Sequence, residues 1–219
     1  CCDVMISQTG FSGEKGFEIY LLDATKYAEK MWYPVLEVVK SYDGEVIAPA
    51  HHRRIAAGIL SWGQDMDHET SPFQVNLAYQ VPEDKPADYI GKETLERQRE
   101  QLAAGDPPWN HELVGLQFGG EPVRDYAPDF WLICDPETEE NVGYLTSPWY
   151  SPKLEQNIGL GFVPVNGTDL DTEYGVRLPD RLVDESGSIV DAWVTEIPFQ
   201  PSVHPSAREQ QKAAEENDG

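Results

Sequence analysis

The 219-residue chain is 40% hydrophobic and 11% aromatic, which supports one large domain or two small ones and is too rich in Trp, Tyr and Phe for a disordered polymer. Sixteen Lys and Arg against 39 Asp and Glu give a net charge of −23, which repels phosphate backbones and anionic lipid and excludes nucleic acid and membrane surfaces as expected partners. No apolar run approaches the ~18 residues that a membrane-spanning helix needs.

The acidity is global: 10 basic residues face 18 acidic ones before Asn110, and 6 face 21 from there on. Spread in this way it predicts a protein adapted to high salt, where screening within about 3 Å at 1 M weakens self-repulsion; an ordinary acidic protein is the alternative. Cys1, Cys2 and Cys134 form neither a disulfide framework nor a zinc spacing, and a reducing cytoplasm is the expected compartment. Cys1 to Gly10 lacks a basic stretch followed by an apolar core, so no secretory leader is predicted. The absence of an initial Met suggests a chain that begins partway through a longer protein.

Val4–Ser7 and Phe17–Leu22 read as strands around the glycine-rich turn Thr9–Gly16. Asp23 is placed to cap a helix running to about Tyr42, with Tyr27, Met31, Val35 and Val39 on one face. Pro34 inside it predicts a kink or break. Val46–Ala48 reads as a buried strand and His52–Leu60 as a short helix ended near Gly63. Residues 82–88 read as a linker, and Gly91–Leu102 as a polar helix stopped by Gly105 and Pro107.

After Trp109 the texture changes. Leu113–Phe118, Phe130–Cys134, Val142–Thr146, Ile158–Val163, Tyr174–Leu178 and Ile189–Val194 read as six strands with no helix among them, hence an all-β barrel or sandwich. Asn166-Gly167-Thr168 matches a glycosylation sequon but reads as a turn. The fold class is therefore α+β, with an α+β part over 1–90, a connecting helix and linker over 91–110, a β-barrel domain over 111–200, and an acidic tail over 201–219 that is expected to be disordered.

From residue types alone no catalytic constellation emerges. His51, His52, Asp65, Asp67, His68 and Glu69 include metal-ligating types, but adjacent histidines rarely converge on one ion, and no metal site is expected. There is no nucleophile elbow, and Gly10, Gly13 and Gly16 do not form a dinucleotide or phosphate-loop fingerprint.

Four segments taken together resemble the glycine-cleavage T-protein (aminomethyltransferase) family. Thr9-Gly10-Phe11-Ser12-Gly13-Glu14-Lys15-Gly16-Phe17-Glu18-Ile19 is similar to T-G-Y-T-G-E-D-G-F-E-I. Arg54 to Asp67, ending Trp62-Gly63-Gln64-Asp65-Met66-Asp67, is similar to R-x-E-x-G-x-x-x-Y-G-x-D-x-D, and Ser71-Pro72-Phe73 follows it. Tyr89-Ile90-Gly91-Lys92-Glu93-Thr94-Leu95 is close to F-I-G-K-E-A-L. The fourth segment joins Val142–Ser147, Tyr150–Leu154 and Asn157–Val163.

Within that family, Ala50 stands where the T-protein's folate-holding arginine would be. The pattern Ala48-Pro49 followed by Arg53-Arg54-Ile55 looks more like the dimethylsulfoniopropionate demethylase branch. Ala56 replaces a glutamate usual in both.

The resemblance implies a folate-binding α+β domain, here only its carboxy-terminal remainder, followed by a β-barrel. It implies tetrahydrofolate as the one-carbon acceptor, with Glu18 on the pterin edge and Phe11 and Trp62 beside the ring. A carboxylate suits a pterin edge that offers two adjacent N–H donors, and Phe11 keeps a stacking surface without the tyrosine hydroxyl. The catalytic aspartate is implied to lie in an amino-terminal portion that this chain lacks, so the catalytic residues are unknown and the 219 residues alone are expected to be inactive. The implied reaction passes a methyl group from a small-molecule donor to N5 of tetrahydrofolate. The alternatives are aminomethyl transfer from a lipoylated carrier protein and a folate-binding module without catalysis.

Overall fold

The strands divide unequally between two sheets, and the computed structural model describes residues 2–83, 85–179 and 187–199. The expected tail over 201–219 lies outside them. β1 (Val4–Ser7) and β2 (Glu18–Leu21) pair antiparallel across the glycine turn, and α1 (Ala24–Ser41) touches β2. Tyr27, Met31, Val35 and Val39 are half-buried, as the helical spacing predicts, while Trp32, Tyr33 and Val38 stand in solvent.

Four local expectations are corrected here. The Asp23 carboxylate makes no capping bond, because its backbone is left-handed (φ 55°) and its carbonyl instead receives the Lys26 and Tyr27 amides at 2.9 and 3.2 Å. No break occurs at Pro34, since the helix runs on through it and a proline removes only one backbone donor. Val46–Ala48 is not a strand; apolar residues form a strand only where a partner satisfies their backbone, and Val46 and Ile47 are 61% and 66% exposed. The helix expected over His52–Leu60 is the shorter α2 (His51–Ala56). It ends early because Gly58 adopts φ 69°, and the Gly58 and Ile59 amides close back on the Ile55 and Arg54 carbonyls at 2.9 and 2.8 Å.

α3 (Lys92–Ala103) forms as predicted. It is strapped to the preceding segment by the Ser71 hydroxyl donating to Gln98 Oε1 at 2.8 Å and by Arg99 donating to the Val81 carbonyl at 2.5 Å.

Beyond it, β3 (His111–Phe118), β4 (Trp131–Cys134), β5 (Asn141–Leu145), β6 (Trp149–Ser151), β7 (Gln156–Pro164), β8 (Glu173–Arg177) and β9 (Ile189–Thr195) make one antiparallel sheet in the order β3-β9-β8-β4-β5-β7-β6. The β3–β7 pairing, from His111↔Pro164 to Phe118↔Asn157, closes it into a barrel. β6 is an addition to the six predicted strands. It is only three residues long, between Pro148 and Pro152, too short for alternation to reveal.

The barrel has two hydrophobic faces. Its interior holds Leu116, Phe118, Trp131, Ile133, Leu145, Val176 and Val194 among others. On the inner side of β7, a Cβ at Gly161 would press on Ile133 and the Tyr144 carbonyl at 3.0 Å each, so a residue without one lets these neighbours close the core. The second cluster lies across the other face of β3 and β7. Leu113, Ile158, Leu160 and Phe162 there meet Ile55, Ala56, Leu60 and Val75, each large side chain contributing about 1.5–3 kcal/mol. Residues 54–75 thus pack on the barrel, whereas among the described residues none before Arg54 is buried.

Candidate functional site

Glu18 opens β2 opposite Ser7. Its carboxylate accepts hydrogen bonds from the Thr9 hydroxyl and, at 3.1 Å, from the Tyr20 hydroxyl. Tyr20 lies two residues along the strand and so on the same face, while Thr9 comes from the start of the turn, and with its proton on Glu18 its oxygen is free to accept from the Ser7 hydroxyl at 3.1 Å. Glu18, Thr9 and Tyr20 are exposed and Ser7 is half-buried. Two hydroxyls, both on Oε2, therefore orient a carboxylate that still presents free lone pairs to solvent. The sequence pointed to Glu18 alone; Thr9 and Tyr20 become visible only once the hairpin register is known.

The turn after Thr9 is held down on α2. Gly13 has φ 71°, and a Cβ there would overlap that of Ala57, so a close approach and a left-handed backbone coincide at one residue. This seats Phe11, 51% exposed, with its ring centroid 5.8 Å from the Arg54 guanidinium, a cation–π distance.

Arg54 is itself 1% exposed. Its Nη1 donates to Asp65 Oδ2 at 2.7 Å and to the Ile59 carbonyl at 3.1 Å. Its Nη2 donates to Gln64 Oε1 at 3.2 Å and to the Ser147 hydroxyl at 2.8 Å, and its Nε finds no acceptor. Asp65 is equally enclosed. Oδ2 also receives the Ser61 amide at 2.8 Å, and Oδ1 receives the Thr146 and Ser147 hydroxyls at 2.5 Å each. Gln64 Nε2 reaches the Thr146 carbonyl at 2.9 Å. A buried ion pair from the first part of the chain is thus completed by hydroxyls of the β5–β6 turn, which with Ile59, Ser61 and Gln64 meet every polar atom of the pair except Arg54 Nε.

Trp62 sits in the loop that Asp65 closes, bridged to Met66 and 66% exposed. The structure therefore ties Phe11 and Trp62 to the same Arg54–Asp65 pair from two sides, through the ring contact and through the Ser61 amide, while Glu18 has its own partners on the hairpin.

His51, at the start of α2, stands between Tyr126 and Trp149, with ring centroids at 5.9 and 5.5 Å. Burial first, and the Arg54 charge second, push its pKa below the usual imidazole value. His52 is lowered in the same way by burial and then by Arg53. Asp67 is held down mainly by the Glu69 amide and then by the Thr70 hydroxyl. These surroundings draw the potential metal ligands apart, with Asp65 committed to Arg54 and His51 to aromatic rings. Among the described residues no three His, Cys, Asp or Glu gather around a common point.

Both parts of the chain match profiles of one family. Residues 1–85 match the GCVT N-terminal domain, and residues 111–198 match the glycine cleavage T-protein C-terminal barrel domain. The chain belongs to the glycine-cleavage T-protein family. Similar family members include the aminomethyltransferase of Thermotoga maritima, 30% identical over 199 residues, which covers 90% of this chain and 48% of that protein. The aminomethyltransferase of Bacillus mycoides is 32% identical over 185 residues, covering 82% of this chain and 46% of that protein. The crystal structure of glycine cleavage system aminomethyltransferase T from Bartonella henselae has the same fold. It aligns with a TM-score of 0.72 at 24% identity over 93% of this chain and 52% of its own. The chain spans about half the length of the family members it matches. Among the described residues no helix is long and apolar enough to cross a membrane.

Proposed function

We propose that this chain supplies part of the folate site of a tetrahydrofolate-dependent one-carbon transferase. The observation that carries the reading is the Glu18 carboxylate, oriented by Thr9 and Tyr20 yet open to solvent. Its geometry fits the donor set of a pterin edge, where two adjacent N–H groups pair with two carboxylate oxygens. Phe11, braced on Arg54, and the exposed Trp62 would flank the ring. When bound, tetrahydrofolate supplies the nucleophilic N5; the chain's own residues orient it and exclude water on one side.

Two donor classes follow from two observations. The names of the similar proteins favour an aminomethyl group on a lipoylated carrier protein. Ala50, half-buried at the head of α2, leaves no cation where the aminomethyltransferases carry their folate-holding arginine, and this favours demethylation of a small-molecule methyl donor. We place the catalytic residue outside these 219 residues. The motive is the uncovered apolar surface from Val4 to Ile47, including Met5, Ile6, Phe17, Trp32 and Tyr33, which asks for a further wall over the hairpin. Turnover of the full gene product with tetrahydrofolate, comparing dimethylsulfoniopropionate, dimethylglycine, aryl methyl ethers and lipoylated carrier protein, separates the donors.

The binding role rests on Glu18→Gln, which keeps size but presents an amide donor to a donor edge. It will weaken tetrahydrofolate binding to the full gene product by about 1.5–3 kcal/mol, roughly one to two decades. Glu37→Gln on the exposed side of α1 will leave it unchanged. Equal affinity for Glu18→Gln and wild type refutes the assignment.

A further inference from the structure

Behind the glycine turn lies a cleft of about 440 Å³ that is separate from the Glu18 carboxylate. It is walled by the turn at Ser12–Glu14, by His52 and Arg53 on α2, and by Lys153 just after β6. We propose that this cleft binds a small oligoanion, a phosphate- or polycarboxylate-bearing metabolite.

The argument begins with charge. A molecule at −23 repels anions over most of its surface, so a concavity where two cations and an imidazole outnumber one carboxylate, Glu14, is a local reversal of field. Arg53 and Lys153 are exposed, and neither takes part in any of the three ion pairs among the described residues, which join Arg54 to Asp65, Lys92 to Glu96 and Arg99 to Glu83. Within the cleft lining only Glu14 opposes their charges. The two also differ in a useful way. A guanidinium offers a planar fork to a carboxylate or phosphate, and an ammonium adds a compact point charge that tolerates several ligand orientations.

The walls are preformed. Gly13 rests on Ala57 with no space for a Cβ between them, so the turn and α2 keep a fixed separation. α2 in turn is packed on the barrel through Ile55 and Ala56. A site whose walls come from three distant segments and need no rearrangement binds without a large ordering cost. The size accommodates a ligand of several heavy groups rather than a single ion. Ser12 and the His52 ring supply neutral hydrogen-bonding groups beside the cations. The folate reading does not enter this inference, and neither Glu18, Phe11 nor Trp62 lines the cleft.

The test is titration calorimetry of the whole chain at low ionic strength with three probes: inorganic phosphate, pyrophosphate and citrate. Saturable one-to-one binding of at least one is expected. Phosphate or pyrophosphate alone identifies a phosphorylated metabolite; citrate alone identifies a polycarboxylate, and binding of all three marks a site that reads charge without geometry, as the oligoanion class allows. Arg53→Gln and Lys153→Gln will each weaken it about fivefold to tenfold. Glu14→Gln, which removes the opposing carboxylate, will tighten it, a gain that misfolding cannot imitate. Lys40→Gln on α1 makes the same change in net charge far along the chain and will leave affinity unaltered. Absence of saturable binding by all three probes overturns the proposal. So does an equal loss in Lys40→Gln and Lys153→Gln, which would mark a response to net charge alone.

Discussion

Replacing Asp65 by asparagine tests the buried pair most sharply, because it preserves shape and removes only charge. Four donors converge on the carboxylate: Arg54 Nη1, the Ser61 amide, and the Thr146 and Ser147 hydroxyls. An asparagine has one acceptor oxygen. Turned toward Arg54 and Ser61, whose N–H groups cannot reverse, it aims its own amide donors at the two hydroxyls. Thr146 can respond by donating to the Leu160 carbonyl, already 2.9 Å away. Ser147 has no such exit, since its oxygen also serves Arg54 Nη2 at 2.8 Å. The larger penalty is the guanidinium, 1% exposed and now without a counter-charge. Breaking a buried pair from one side costs about 3–5 kcal/mol, which for a chain of this size lowers the thermal midpoint by roughly 6–20 °C. The double variant Arg54→Met, Asp65→Leu removes the stranded charge together with its partner and will lose less than Asp65→Asn alone. Scanning calorimetry and urea titration of wild type, Asp65→Asn, the single variants Arg54→Met and Asp65→Leu, and the double variant provide the measurement. Asp65→Asn within about 1 kcal/mol of wild type, or single losses that simply add in the double variant, would show that the pair carries no such coupling.

Salt gives a second test: with −23 charges over the chain, the melting midpoint will climb as KCl is raised from about 0.1 M to molar levels, and a flat or falling midpoint removes the high-salt reading. Acid gives a third. His51 and His52 have folded pKa values below the ordinary imidazole value, so below about pH 6.5 the unfolded chain binds more protons than the folded one. Their contribution is complete above that pH and declines as the pH falls through it toward the depressed folded values. The slope of stability against pH between about 7 and 5 will flatten in His51→Gln, His52→Gln protein, and an unchanged slope contradicts the assignment.

Much of this architecture was legible because its signals are local. The half-buried stripe of α1 follows from spacing alone, and the six longer barrel strands follow from apolar runs punctuated by glycine and proline. Where reading failed, the missing information was tertiary. Val46–Ala48 has the composition of a strand but no partner, and α2 stops at a glycine whose positive φ no propensity scale contains. The site divides in the same way. Glu18 and Phe11 stand in one eleven-residue motif, Thr9 to Ile19, whose letters can be read directly. Arg54 and Asp65 were visible as letters too, but the hydroxyls that complete them lie 81 and 82 residues from Asp65, a separation at which no periodicity survives.

The uneven burial along the chain has a consequence for how the protein opens. Both hydrophobic clusters are built from residues 55 onward, while no described residue before Arg54 is buried. Cooperative unfolding therefore belongs to the barrel and the segment clasped on it, and the hairpin with α1, joined to that segment where Gly13 meets Ala57 and Phe11 meets Arg54, is the part of lower local stability away from those contacts. Its amides exchange with solvent through excursions that never breach the barrel. Heat capacity and melting midpoint consequently report on the scaffold. The hairpin that carries Glu18 is better followed by exchange protection, which will rise when a ligand or another polypeptide covers it.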